Sequence, residues 1–211
     1  GLARQRERQA LHGVFRGVEA AVRFKLGRRD LEGVRVAILG VGAVGMTLCE
    51  LLNEAGATLV VADVNGAAVR EAVERFGATA VSPADCVAAA VDVFAPCALG
   101  GAINERTIGL LKAPIVAGGA NNQLSVPEMN AALMARGVLY APDYVINAAG
   151  VISVGLEILG TWNAEELGRR IDRIGDTLTA IFERSAREQR PTGEIADAMA
   201  MDVIAKAKRA A

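Results

Sequence analysis

Three glycines in GVGAVG (40–45) are spaced so that each meets a different steric demand. An apolar stretch, VRVAIL (34–39), precedes them, and Leu48, Leu51, Leu52 and Ala55 follow at helical spacing. In such a strand–turn–helix unit Gly40 permits the tight turn. Gly42 lets the backbone approach a pyrophosphate, and Gly45 lets the helix pack closely on the strand. Val41 completes the turn, and the amides around Ala43, Val44 and Gly45 open the helix without an intrahelical acceptor. They therefore face an anion, and the helix dipole adds to the attraction. Glycines that only make a tight turn are the alternative; the strand before and the amphipathic helix after favour the phosphate site.

The segment TLVVAD (58–63) reads as a second strand ending on Asp63, about 20 residues beyond the glycines. A carboxylate there accepts both hydroxyls of an adenine-side ribose, with Val64 beside it in the same turn. The charge repels a 2′-phosphate, and no cation follows closely, since Arg70 is well down the next segment. The site therefore reads as one for NAD rather than NADP. S-adenosylmethionine, with a ribose but no pyrophosphate, is the alternative ligand, which the three-glycine spacing disfavours.

PCALGG (96–101), GGANNQ (118–123) and PDYVINAAG (142–150) follow the later strands and face the nicotinamide half of such a crevice. Asn121, Asn122 and Asn147 suit hydrogen bonds to a carboxamide or ribose, though asparagine is equally a turn and cap residue. Cys97 has no base nearby in sequence. Hydride transfer from an amine-bearing or alcohol carbon needs a proton acceptor and a charge to hold substrate. The single His12 lies on or beside a helix ahead of the first strand, and Lys25 and Lys112 fall outside the crevice loops. The sheet portion reads as a cofactor holder without acid–base machinery.

The elements that must position these residues alternate. A helix over 10–26 precedes the strand at 34–39; helices at about 66–76 and after Ser82–Pro83 separate strands at 58–63, 79–81 and 91–96. Asn104 is placed to cap a short helix before a strand at 114–119. Pro127 opens another helix, VLY (138–140) is a sixth strand, and a long apolar helix runs from about Asn147 to Leu159. Continuously apolar strands are buried on both faces, as in parallel sheets covered by helices. The pattern predicts a doubly wound, Rossmann-type α/β fold with strand order 3-2-1-4-5-6. Asn163 with Glu166 reads as a capping box. Leu167, Ile171, Ile174, Leu178, Ile181 and Phe182 then line one face of an amphipathic helix, and PTGE (191–194) separates it from a last one. These two helices either brace the sheet or reach a neighbouring domain.

The chain has 211 residues, 52% hydrophobic and 22% charged, with a net charge of −1, which suits a globular protein and argues against nucleic acid as a partner. Three separated cysteines and one histidine argue against a disulfide framework and against zinc, so the compartment reads as cytoplasmic. No apolar run reaches the roughly 18 residues of a membrane span. GLARQRERQ opens on Gly1 rather than methionine, pointing to a preceding segment or to processing.

The ordered set GVGAVG (40–45), ADVN (62–65), DVFAPCALGG (92–101), AGGANNQL (117–124) and YAPDYVINAAGVI (140–152) resembles the leucine/phenylalanine/valine dehydrogenases. These enzymes oxidatively deaminate apolar L-amino acids with NAD. The resemblance runs from GVFRGVEAAVR (13–23) through the final helices. It implies that residues 40–45 hold the pyrophosphate and Asp63 the adenosine ribose. Ala95 and Cys97, Ala98 and Leu99, with Gly119, Ala120 and Asn121, line the nicotinamide ribose. Asn147 stands close to nicotinamide and substrate, and Val151 and Val154 shape the side-chain pocket.

Departures are specific. Ala10 stands where the family has threonine, AGG at Gly119 where it has AGS, INAAG at Ala149 where it has INAGG, and VIS at Ser153 where it has VIN. The family's catalytic lysines and aspartate belong to an N-terminal domain that these residues do not include. The expected organisation is a dinucleotide-binding domain over 10–160, onto which helix 10–26 packs or bridges, and a helical extension over 161–211. The 211 residues alone are expected to be inactive. A piece of a larger gene product is favoured over a short relative serving as a non-catalytic NAD-binding or assembly module. The resemblance further implies a small amino-acid substrate and a homo-oligomer assembled through the N-terminal domain.

Overall fold

The computed structural model describes residues 2–98 and 100–210, with side chains from His12 to Arg209 apart from Leu99. Helix α1 (Leu2–Leu26) leads into β1 (Arg35–Leu39), α2 (Ala43–Glu54), β2 (Thr58–Ala62) and α3 (Gly66–Phe76). Then come β3 (Thr79–Ala80), α4 (Pro83–Val87), β4 (Val93–Pro96), β5 (Ile115–Val116), α5 (Glu128–Ala135) and β6 (Leu139–Tyr140). The chain finishes through α6 (Asp143–Ile146), α7 (Ala149–Ile158), α8 (Ala164–Glu188) and α9 (Thr192–Ala210).

The strands form one parallel sheet in the order β3-β2-β1-β4-β5-β6. Strand β1 pairs with β2 on one side (Ile38 opposite Val61) and β4 on the other (Ile38 opposite Ala95). The chain reverses its winding at β1, which opens a crevice at the carboxyl ends of β1 and β4. Val36, Ile38, Val61, Val93, Phe94, Ile115 and Val116 are fully buried, as the uninterrupted apolar runs require.

Several expected elements are shorter or interrupted. Strands β5 and β6 keep only two residues each, because the chain turns into the crevice loops directly afterwards. The segment after Asn104 makes turns, not a helix. Its Oδ1 accepts from the amides of Arg106 and Thr107, as a cap would, but Thr107 Oγ1 donates to Ala102 O and folds the loop back on itself. The expected helix from Asn147 is broken into α6 and α7, with a turn at Asn147–Ala148. At Asn163 only half of a capping box forms. Its Oδ1 accepts from Glu166 N at 2.7 Å, while the Glu166 carboxylate pairs with Arg169 and Arg170 instead.

The apolar stripe of α8 is sunk in the same core as β1, with Leu167, Ile171, Ile174, Leu178, Ile181 and Phe182 at most 4% exposed. Fully burying a side chain of this size contributes about 1.5–3 kcal/mol before entropy is counted. Close approach of α1 depends on Gly13 and Gly17. A Cβ on Gly17 would lie 2.3 Å from Ile146 Cγ1, and one on Gly13 would lie 2.8 Å from Ile174 Cδ1. Arg16 ties α1 to α8 through Asp172 at 3.0 Å. Through these contacts α1 and α8 fix α6, and hence the turn that carries Asn147. Among the described residues no helix is long and apolar enough to cross a membrane.

Candidate functional site

The three glycines do three physically distinct things. Gly40 has φ +100°, in the region that favours glycine, and a Cβ there would sit 2.6 Å from the Ala98 backbone nitrogen. A Cβ on Gly45 would come within 1.8 Å of Gly40 O, so helix α2 packs on the turn only because the side chain is absent. A Cβ on Gly42 would meet nothing within 4 Å, so this glycine leaves open space outside the backbone. The first bond of α2 runs from Met46 N to Gly42 O. The amides of Ala43, Val44 and Gly45 thus have no acceptor within the helix, and no side chain caps it. Open amides at a helix N-terminus are suited to an anion such as the pyrophosphate of a dinucleotide.

Asp63 lies one residue past β2 and faces the cradle. Its Oδ2 accepts from Val41 N at 2.8 Å, and its Oδ1 from Asn65 N at 2.8 Å. Each oxygen keeps a second acceptor position, so the carboxylate both braces the glycine turn and can receive a ribose hydroxyl. Val41 is buried, whereas Val64 is 96% exposed beside the carboxylate. Arg70 lies one helical turn beyond Gly66, with its Nη1 3.5 Å from where a Gly66 Cβ would be.

The other loops converge from the opposite side. Gly119 packs against the first turn of α2, where an added Cβ would be 2.6 Å from Val44 Cγ1 and 3.9 Å from Cys97 Sγ. Ala95 and Ala120 are buried, while Ala98 and Asn121 are exposed. Leu99, assigned to the same lining, lies outside the described residues. Asn147 Nδ2 donates to Asn121 Oδ1 at 3.1 Å, which links the α6–α7 turn to the loop after β5. Burial pushes the Cys97 thiol up to about 11, partly offset by a hydrogen bond from the Gly119 amide. It is thus protonated at neutral pH and no ready nucleophile.

Two residues inside the quoted motifs had no role in the sequence reading. Gln123 is fully buried, and its Nε2 donates to Gly118 O at 2.7 Å and to Ala120 O at 3.0 Å. Its amide nitrogen donates to Asp143 Oδ2 at 2.9 Å, while Asp143 Oδ1 accepts from Tyr144 N. Together they set the shape of the loop that presents Asn121. The available signal was a carboxylate placed directly after Pro142 and an amide at the end of a glycine–asparagine loop.

Past Asn147, helix α7 turns an apolar face outward. Val151 is 77% exposed, Val154 54%, Ile158 80% and Leu159 70%. No cluster of three or more His, Cys, Asp or Glu side chains suited to a metal ion occurs among the described residues.

Sheet order, glycine cradle and acidic residue after β2 define a doubly wound α/β domain of the Rossmann type. The sequence profile of the Glutamate/Leucine/Phenylalanine/Valine dehydrogenases matches residues 66–211, and the chain belongs to that family. It is 46% identical over 199 residues to the leucine dehydrogenase of Geobacillus stearothermophilus, covering 94% of this chain and 54% of that protein. It is 41% identical to the valine dehydrogenase of Streptomyces albus, covering 93% and 54%. The crystal structure of L-tryptophan dehydrogenase from Nostoc punctiforme superposes with a TM-score of 0.93 at 42% identity, covering 96% of this chain and 61% of that one. The chain spans about half the length of the curated relatives it matches.

Proposed function

We propose that this chain is the NAD-holding half of an amino-acid dehydrogenase that converts an apolar L-amino acid to its 2-oxo acid and ammonia. Catalysis then requires a lysine-bearing domain to close over the crevice. The observation that carries the reading is the exposed α7 face of Val151, Val154, Ile158 and Leu159, which begins next to Asn147. Apolar side chains this exposed and this close together mark a surface that another body covers. Leucine and valine dehydrogenases among the relatives support an apolar substrate.

NAD, when bound, supplies the hydride acceptor. The chain's own groups then divide the work. The amides of residues 43–45 hold the pyrophosphate, and Asp63 takes the adenosine ribose. Ala95, Cys97, Ala98, Gly119, Ala120 and Asn121 border the nicotinamide ribose. Asn147, fixed by Asn121, orients the reacting end, and Val151 with Val154 contacts the substrate side chain. Asp63, the one carboxylate among these groups, is assigned to the adenosine end. The groups assigned to the nicotinamide end include no base for the substrate's proton. That step is therefore assigned to the covering domain, whose closure also excludes water. The same domain is the natural place for copies to assemble.

The test is turnover. The 211-residue chain is expected to bind NAD and to show no NAD-dependent oxidation of leucine, valine or phenylalanine. Measurable turnover by this polypeptide alone would refute the division of labour proposed here.

A further inference from the structure

We infer that Tyr144 is a positioning residue for the nicotinamide end of the crevice. Its hydrogen bond to Asp197 of α9 fixes the single turn α6, and with it the direction of Asn147 and of the loop that carries Asn121. The inference rests on the NAD-site reading above. It goes beyond that reading by giving α9, to which no group of the site was assigned, a part in holding the ligand.

The argument starts from how α6 is held. It has four residues, Asp143–Ile146, and a helix of one turn makes too few backbone bonds to keep its own orientation. Ile146 is its anchor, fully buried against α1 where Gly17 leaves room. At the other end Asp143 N donates to Tyr140 Oη at 3.2 Å, the long end of the range for such a bond. A turn held mainly at Ile146 can pivot there unless a second point is fixed. Tyr144 supplies that point. Its side chain leaves the core, and its hydroxyl donates to Asp197 Oδ1 at 2.7 Å, with Gly193 O 3.1 Å from the same oxygen.

The far side of this bond is firm. Ile195 and Ala196 are buried in the core, and the buried Thr192 donates from Oγ1 to Tyr140 O at 2.8 Å, which fastens the first turn of α9 to β6. An open cavity of about 660 Å³ lies among α5, α6 and the start of α9, bordered by Asn130, Asp143, Tyr144, Glu194 and Asp197. Across that gap the phenol–carboxylate bond, rather than packed side chains, carries position.

From α6 the position passes to the crevice by two routes. Asn147 follows Ile146 directly, and its Nδ2 donates to Asn121 Oδ1 at 3.1 Å. Asp143 Oδ1 accepts from Tyr144 N at 2.8 Å, and Oδ2 accepts from Gln123 N at 2.9 Å. Gln123 Nε2 then donates to Gly118 O and Ala120 O, on the approach to Asn121. Both routes end on the asparagines of the nicotinamide end. The amides of residues 43–45 and Asp63 follow β1 and β2, on the other side of the sheet's reversal. Loss of the Tyr144–Asp197 bond should therefore weaken the hold on nicotinamide and spare the hold on adenosine and pyrophosphate.

Titration of NAD and of ADP-ribose into the 211-residue chain, Tyr144→Phe, Asp197→Ala and Asp197→Asn tests this. Tyr144→Phe keeps the ring and removes only the hydroxyl. It is expected to lower NAD affinity about three- to fivefold, the scale of one hydrogen bond, and ADP-ribose affinity by less than about twofold. Asp197→Ala should behave alike, whereas Asp197→Asn keeps an acceptor for the phenol and should restore most of the NAD affinity. Added to Asn147→Ala, Tyr144→Phe should cause little further loss, because it acts through Asn147 and its partner. ADP-ribose binding by each variant reports that the fold and the cradle are intact. The inference is overturned, and the NAD site stands, if Tyr144→Phe binds NAD as the parent does or if both ligands weaken alike. It is equally overturned if Asp197→Asn is no better than Asp197→Ala, or if the losses of Tyr144→Phe and Asn147→Ala multiply. If the intact chain binds neither ligand, the NAD-site reading fails and the inference falls with it.

Discussion

The side-chain amide of Asn147 donates to Asn121 Oδ1 at 3.1 Å, joining the α6–α7 turn to the loop after β5. Each asparagine would otherwise be a half-exposed or exposed loop residue of no fixed orientation. Paired, they present one amide edge at a defined place at the crevice mouth. Asn147→Ala is therefore expected to leave unfolding free energy within about 1 kcal/mol of the parent, the scale of one solvent-accessible hydrogen bond. NAD affinity should fall severalfold while affinity for ADP-ribose, which lacks the nicotinamide, stays the same. Equal losses for both ligands would place Asn147 away from the nicotinamide.

Gly45 and Gly42 share a motif and differ in what surrounds them. Gly45→Ala drives a methyl group to 1.8 Å from Gly40 O, a backbone atom that cannot move without breaking the turn. The expected cost is about 3 kcal/mol of stability. Gly42 has nothing within 4 Å of an added Cβ and a negative φ of −69°, so Gly42→Ala should change stability by less than about 1 kcal/mol. Denaturant unfolding of the two variants checks this, and equal destabilisation would contradict the separate roles.

The strand order was readable from the sequence because the glycine turn sat at the first strand and every later strand was followed by a helix or loop signal. Asp63 was readable because the spacing from the glycines is set by the length of one helix and one strand. The break at Asn147–Ala148 was not. Apolar residues continue across it in helical spacing, and the turn is set by the non-local pull of Asn121 and by α1 packed on Ile146. The Gln123–Asp143 bond escaped for a related reason, since it joins residues distant in sequence whose neighbours offer no cue.

The buried thiols give the fold an alkaline limit. Burial holds Cys97 at about 11, and Cys49 and Cys86 at about 12, against an ordinary 9.0. An unfolded chain releases these protons near 9 while the folded chain keeps them. Their contribution to stability is thus fully present below pH 9 and is lost as pH rises through 9 toward 12. Burial raises the Tyr140 phenol as well, which adds to the same fall. Urea midpoints should decline steadily from pH 8.5 to 11, and Cys97→Ala should decline less steeply than the parent. Parallel slopes for the two would show that the Cys97 thiol is not protected by the fold.

The central claim, that the crevice between Gly42 and Asp63 holds NAD, is tested most directly by calorimetric titration of NAD into the parent chain and into Gly42→Val. The parent is predicted to bind one NAD per chain, and Gly42→Val, folded to the same thermal midpoint within a few degrees, to lose that binding by about tenfold or more, as a side chain in the pyrophosphate cradle requires. No NAD binding by the parent, or the same affinity in Gly42→Val, would contradict the account.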